Sequence, residues 1–108
     1  MKIETLFAVT DYFCIFTLKV VSEHKSTHAT QLITEVLDPD NLLTQQDIEY
    51  HNNLFKKIFI HNVDGKIVKN TVFYTYEEAK LFAETHIENR LKKINEEADH
   101  LNHILKNI

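Results

Sequence analysis

The 108-residue chain has few of the residues that make tight turns and covalent links: one glycine, one proline, one cysteine and no tryptophan. A single glycine excludes the glycine-rich loops with which nucleotide-binding proteins hold phosphates. The lone Cys14 excludes an internal disulfide and is typical of the reducing cytoplasm, where we expect this chain to act. No stretch approaches the roughly 18 consecutive apolar residues of a membrane span, so we expect no membrane partner.

The charge balance sets the next limit on function. The chain carries 12 Lys and Arg against 16 Asp and Glu, which gives a net charge of -4. A protein whose main task is to hold nucleic acid needs many basic side chains on one surface, so this balance argues against that task. The hydrophobic fraction of 44% is enough for a packed core. We therefore predict one domain, or a small domain with a helical extension.

The strongest pattern lies at the C-terminus. Thr75–Ile108 contains no glycine or proline and starts with the T-x-x-E form of a capping box. In that box the Thr75 hydroxyl accepts from the amide of Glu78, and the Glu78 carboxylate accepts from the amide of Thr75. Seven apolar residues, here called the heptad seam, follow at alternating steps of four and three: Ile87, Leu91, Ile94, Ala98, Leu101, Leu105 and Ile108. This spacing predicts a helix–helix interface, either between two copies of the chain, which we favour, or with a different protein.

The first 74 residues predict five antiparallel strands, at Lys2–Thr10, Phe13–Ser22, Ala29–Leu37, Leu54–Val63 and Lys66–Tyr74. Asp64-Gly65 predicts a type I′ hairpin between the last two strands. In the second strand, alternation predicts that Cys14, Phe16, Leu18 and Val20 face the core. The segment Asp38–Asn53 is open between one or two helical turns and a long connection between strands.

Together these elements predict an α+β fold: a small antiparallel five-stranded SH3-like barrel or curled sheet followed by a long C-terminal helix. Curling would hide the edge strands of so small a sheet. The start of the helix should pack on the sheet through Ala79, Phe82, Ala83 and His86. We therefore divide the chain into a β domain with the start of its closing helix, residues 1–86, and a heptad-patterned helical extension, residues 87–108.

The strand around Ile67-Val68 and the following run Val72-Phe73-Tyr74-Thr75-Tyr76-Glu77-Glu78-Ala79 resemble a known family. They are similar to the small SH3-like β-barrel proteins of phages and other mobile elements, which end in a strand, a T-x-E-E-A motif and a helix. The resemblance covers about residues 1–86 and implies a fold and a phage-like context, hence the host cytoplasm, without implying a reaction. This chain departs from the pattern in its poverty of glycine, its insertion at Asp40–Asn53 and its extended tail.

Catalytic and metal-binding patterns are weak. His100 and His103 share a helix face with Glu96, and Asp99 is adjacent, but a solvated helix face explains this group better than a metal site. Cys14 has no histidine or aspartate placed in sequence to activate it. We therefore predict no enzymatic activity, no metal and no cofactor.

Two further surfaces are candidates for binding. Four aromatic residues are predicted to line one mouth of the barrel as a partner surface: Tyr12, Phe13, Tyr74 and Tyr76. Four lysines on one barrel face would serve the alternative function, a nucleic-acid-associated accessory protein: Lys56, Lys57, Lys66 and Lys69. The function we favour is a non-enzymatic interaction module that binds and inhibits a host protein such as a defence nuclease, and we expect it to act as a homodimer.

Overall fold

The computed structural model describes residues 3–38 and 43–108. The start of the predicted first strand at Lys2 and residues 39–42 of the open segment Asp38–Asn53 lie outside these ranges. The fold is α+β, as predicted, with seven elements in chain order: β1 Thr5–Val9, β2 Ile15–Lys25, β3 Ala29–Leu37, α1 Gln45–Phe55, β4 Lys57–His61, β5 Val72–Phe73 and α2 Tyr76–Lys106.

The five strands form one curled antiparallel sheet, a half-barrel with the order β4-β3-β2-β1-β5. After β4 the chain stays beside it only briefly, through an Ile60–Ile67 bridge and a hydrogen bond from Val68 N to Phe59 O of 2.9 Å. It then crosses to the opposite edge, where β5 pairs with β1. The predicted fifth strand Lys66–Tyr74 is therefore wrong in its length and its partner. Within the crossing segment, Ile67 packs against the inner core of the half-barrel.

The predicted hairpin at Asp64-Gly65 is also corrected. Gly65 has a φ of 69°, as the prediction required, but Phe13 is the only described non-glycine residue with positive φ. Because a type I′ turn needs positive φ at both central residues, Asp64-Gly65 does not form one. Gly65 N instead donates to His61 O at 2.8 Å and closes a longer loop.

The segment left open in the sequence contains helix α1. Its N-terminus carries a complete capping box, in which Thr44 and Asp47 exchange side-chain and backbone hydrogen bonds. The helix runs on through Leu54 and Phe55, which the sequence assigned to the fourth strand. Phe55 is only 1% exposed and packs with Leu6, Leu18, Leu32 and Ile58 inside the half-barrel. The concave face of the sheet is thus filled by the end of a helix.

The outer face of the sheet is covered by the start of α2. Successive residues of β1 alternate between the two faces: Leu6 and Ala8 belong to the inner core, whereas Val9 packs with Ala79 and Ala83 of α2. In β2, Leu18 is fully buried and Val20 packs against the inner core. Cys14, predicted to face that core, is exposed before the strand begins. Both faces of the sheet are therefore apolar, whereas the alternation in the second strand predicted a single core-facing side.

Helix α1 is fastened to β3 by a buried threonine. The Thr34 hydroxyl donates to Phe55 O at 2.6 Å, and Thr34 N donates to Lys56 O at 2.9 Å. Thr34 is 3% exposed, so its hydroxyl has little access to water. Nearby, the Asn52 side chain accepts from Val36 N at 2.8 Å. These bonds set the depth to which Phe55 enters the half-barrel.

We expect Thr34→Val to lower the free energy of unfolding by about 1–3 kcal/mol, because it removes a buried donor and leaves the Phe55 carbonyl without that partner. Urea unfolding followed by circular dichroism measures the change. The matched control is Thr85→Val, the same substitution at an exposed position of α2. Equal effects of the two substitutions would show that the Thr34 hydroxyl does not fasten the helix.

Candidate functional site

Helix α2 projects well beyond the sheet. Its 31 residues span about 46 Å at the usual helical rise, and the molecule measures 62 × 35 × 21 Å. The radius of gyration is 18.4 Å, compared with about 13 Å for a compact domain of this size. Ala79 and Ala83, both in the first turns, are its buried residues. Most of the helix therefore has no part in the core.

Both ends of α2 are capped by local hydrogen bonds. The Thr75 hydroxyl accepts from Glu78 N at 3.2 Å, which confirms Thr75 as the cap. The Glu78 carboxylate accepts from the Thr75 hydroxyl at 3.0 Å, where the prediction had it reach the Thr75 amide. At the other end Asn107 N donates to Ile104 O, and the Asn107 side chain donates to His103 O at 2.7 Å. The helix ends at Lys106, so Ile108 lies outside it.

The heptad seam is exposed along its whole length. Among its large side chains the exposed fraction is lowest at Ile87, 38%, and reaches 70% at Leu105, the last of them within the helix. Ala98, in the middle, is exposed as well. The structure thus leaves open, on a regular helix, the face whose spacing predicted a helix–helix interface.

The side chains flanking the heptad seam carry mixed charge. Glu88, Asn95 and Asn102 border it on one side, and Arg90, Glu97 and Ile104 border it on the other. In heptad notation these are the e and g positions, which meet the partner helix in a coiled coil. No flank is a block of one charge, so electrostatics does not forbid a second helix.

The four aromatic residues of the predicted partner surface are not brought to one mouth. Tyr12 is 90% exposed beside α1, whereas Phe13 packs toward α2. The Tyr74 hydroxyl donates to Gly65 O at 2.5 Å. The Tyr76 ring meets Phe7 edge-on, with 6.1 Å between centroids.

Tyr12 and Phe13 take opposite directions because of the turn that they share. Phe13 N donates to Thr10 O at 2.9 Å, and Thr10 N donates to Cys14 O at 2.9 Å. This three-residue hairpin loop requires a left-handed residue, and Phe13 adopts it with a φ of 62°. The conformation costs an aromatic residue about 1–2 kcal/mol. Packing of the Phe13 ring near Val9 and α2 offsets that cost.

The four lysines are likewise separated. Lys56 follows the end of α1, Lys57 begins β4, and Lys66 lies beside His61 at the loop end. Lys69 turns toward the core, where its ammonium lies 5.3 Å from the centroid of the Phe55 ring. They do not form one outward basic face.

The sequence did not reveal a cavity of about 300 Å³ between the Thr10–Cys14 turn and α1. We call it the aromatic cavity, because its lining includes Tyr12, Phe16, Tyr50 and His51. One signal in the sequence could have indicated part of it. Asp47, Tyr50, His51 and Leu54 are spaced so that they share one face of a helix. That signal shows a shared helix face but not the turn that faces it.

The histidines and carboxylates do not assemble further. Within residues 3–38 and 43–108, no three His, Cys, Asp or Glu side chains are grouped so that they could hold a metal ion. Over the same ranges neither helix combines the length and the apolar character that crossing a lipid bilayer requires.

Tyr74 provides a test of the packing between the loop at Gly65 and the start of α2. Burial raises the pKa of its phenol above 10.0, and the nearby carboxylates of Asp64 and Glu78 raise it further. The folded state thus keeps this proton to higher pH than the unfolded chain. The stability linked to Tyr74 is therefore complete below pH 10 and is lost as the pH rises through the folded-state pKa.

We expect Tyr74→Phe to remove this part of the decrease in the free energy of unfolding at alkaline pH. Urea unfolding at several pH values measures the change. Identical slopes for the two proteins would contradict it.

No protein-family model matches this chain, and neither a curated protein nor a solved structure matches it.

Proposed function

We propose that this chain is a non-enzymatic protein-interaction module that pairs with a second copy of itself through the heptad seam and binds and inhibits a host protein. A defence nuclease is the kind of target that the proposed phage or mobile-element origin favours. That origin is supported by the resemblance of residues 67–79, and the site of action it entails is the host cytoplasm. The pairing is supported by the geometry of α2.

The observation that carries the proposal is the exposure of the heptad seam on a capped, regular helix. Full burial of a Leu or Ile side chain is worth about 1.5–3 kcal/mol. Ile87, Leu91, Ile94, Leu101 and Leu105 are between 38% and 70% exposed, so a covering helix would gain several such contributions. Within a single chain these side chains stay exposed, because the buried residues of α2, Ala79 and Ala83, lie in its first turns.

Self-pairing agrees with the flanking charges. In a parallel two-helix coiled coil, each g residue faces the next e residue of the partner. Arg90 would then face Asn95, and Glu97 would face Asn102. Neither pair brings like charges together. Ala98, at an a position, leaves room for the two backbones to approach.

The nucleic-acid alternative loses support from the placement of its lysines. Salt-dependent binding to phosphates needs several cations on one surface. Lys69 contacts the Phe55 ring, and the other three are spread over the end of α1 and both sides of the loop at Gly65. The interaction module is therefore the function that we retain.

Sedimentation equilibrium tests the pairing. We expect the full chain to be a dimer, and we expect Ile94→Asp or Leu101→Asp to raise its dissociation constant at least about hundredfold, because a carboxylate would be buried between the helices. The matched control is Leu81→Asp, which places the same charge at a residue 66% exposed on α2 but outside the seam. A monomeric full-length protein, or equal effects at Leu81 and Leu101, would rule out the seam as the dimer contact.

Binding to a host protein is tested separately. We expect the tagged chain to retain one host protein at a fixed ratio from a lysate, and the purified pair to reconstitute with loss of the host protein's activity. Repeating the reconstitution with Ile94→Asp shows whether the host protein binds only to the dimer. Failure to reconstitute from pure components would refute the inhibitory function while leaving the dimer intact.

A further inference from the structure

The aromatic cavity is built from the Thr10–Cys14 turn, the start of β2 and helix α1, none of which contains a residue of the heptad seam. Three rings stand together in its wall: the His51 centroid lies 4.6 Å from that of Phe16 and 5.2 Å from that of Tyr50. The planes of Tyr50 and His51 are nearly perpendicular, at 85°. The rings of Tyr50 and His51 therefore form two walls of the cavity that meet at a corner. Tyr12, from the Thr10–Cys14 turn, completes the rim.

The corner is held in place by the backbone. His51 Nδ1 lies 2.8 Å from Asp47 O. Because a carbonyl only accepts, Nδ1 carries the proton in this bond, and the ring orientation follows from α1 itself. Phe16 lies on β2, which also pairs with β1 through Ala8. The rings of His51 and Phe16 are thus positioned before any ligand arrives.

The charge of the cavity is negative. Two carboxylates line it, those of Asp11 and Asp47, and none of the described lining residues is Lys or Arg. Asp47 accepts from the Thr44 hydroxyl at 2.8 Å as part of the cap of α1. Its full charge exceeds the half charge of the helix N-terminus beside it. In the described part of the chain the Asp11 side chain makes no hydrogen bond or ion pair, so its charge is available to a ligand.

We propose that the aromatic cavity binds the alkylammonium head of a small organic cation. The negative faces of aromatic rings attract a cation, and the methyl groups of an alkylated nitrogen fit an apolar wall that a hydrated ion would avoid. Asp11 and Asp47 supply the countercharge. In an adjoining pocket, which shares Asp11 and Tyr50 with the cavity, the Lys69 ammonium lies over the Phe55 ring. This inference is independent of the heptad seam.

Choline and its neutral isostere 3,3-dimethylbutan-1-ol test the proposal, since they share shape and hydroxyl group and differ in charge. Titration of the 15N-labelled full chain by NMR should shift the amides of residues 10–14 and 47–51 with choline. The neutral analogue should bind at least about tenfold more weakly. Equal affinities would reduce the cavity to a nonspecific apolar pocket. The absence of shifts with choline would overturn the proposal outright.

The variants change exposed side chains, which contribute little to the core. A loss of binding can therefore be distinguished from a loss of folding. Tyr50→Ala and Asp11→Asn should each weaken choline binding at least about threefold. Their matched controls, Tyr76→Ala and Asp99→Asn, lie outside the cavity and should leave the affinity unchanged. Equal weakening by a variant and its control would contradict the assigned site.

A third titration separates a free cation from one carried on a protein. The probe is N-acetyl trimethyl-lysine amide, which presents the same head on a side chain. Binding no tighter than that of choline supports the small-molecule ligand. Clearly tighter binding would overturn that part of the proposal and assign the cavity to a modified protein side chain.

Discussion

The insertion of Phe55 into the half-barrel is the contact on which the rest of this structure depends. Five short strands with one concave face cannot bury enough apolar surface among themselves, and the end of α1 supplies the missing part of the core. The two hydrogen bonds of Thr34 satisfy backbone carbonyls that this insertion removes from water. Because α1 is held at that end, its first turns are left to face the Thr10–Cys14 turn, and the aromatic cavity is the space between them.

The same small sheet is used on both faces. Inside it carries α1, and outside it carries the first turns of α2 through the small side chains Ala79 and Ala83. Small residues at this contact let the helix backbone come close to β1 and β5. The strained residue Phe13 belongs to this outer layer, whereas its neighbour Tyr12 belongs to the cavity on the inner side. One turn thus serves both layers.

Local signals predicted the parts of the fold that local interactions determine. The strand Ala29–Leu37 has the predicted bounds, and Thr75 caps α2 as its spacing indicated. The errors occur where contacts between distant parts of the chain determine the structure. An apolar run such as that from Leu54 suits a strand and a buried helix end equally well. The pairing of β5 with β1 joins two segments from distant parts of the chain, and no pattern within β5 specifies that partner. The exposure of the heptad seam agrees with its spacing, but the cavity needed a turn and a helix that are far apart in the chain.

The length of α2 beyond the sheet determines whether the exposed end of the helix and the aromatic cavity affect each other. The helical stretch from Ile87 to Lys106 spans about 30 Å. Charges are screened within about 8 Å at physiological ionic strength, and substitutions more than about 10 Å apart usually act additively. The tip of the helix and the cavity are therefore expected to behave as thermodynamically separate units. Substitutions at the tip of α2 would therefore leave the properties of the cavity unchanged, and substitutions in the cavity would leave the exposed end of the helix unchanged.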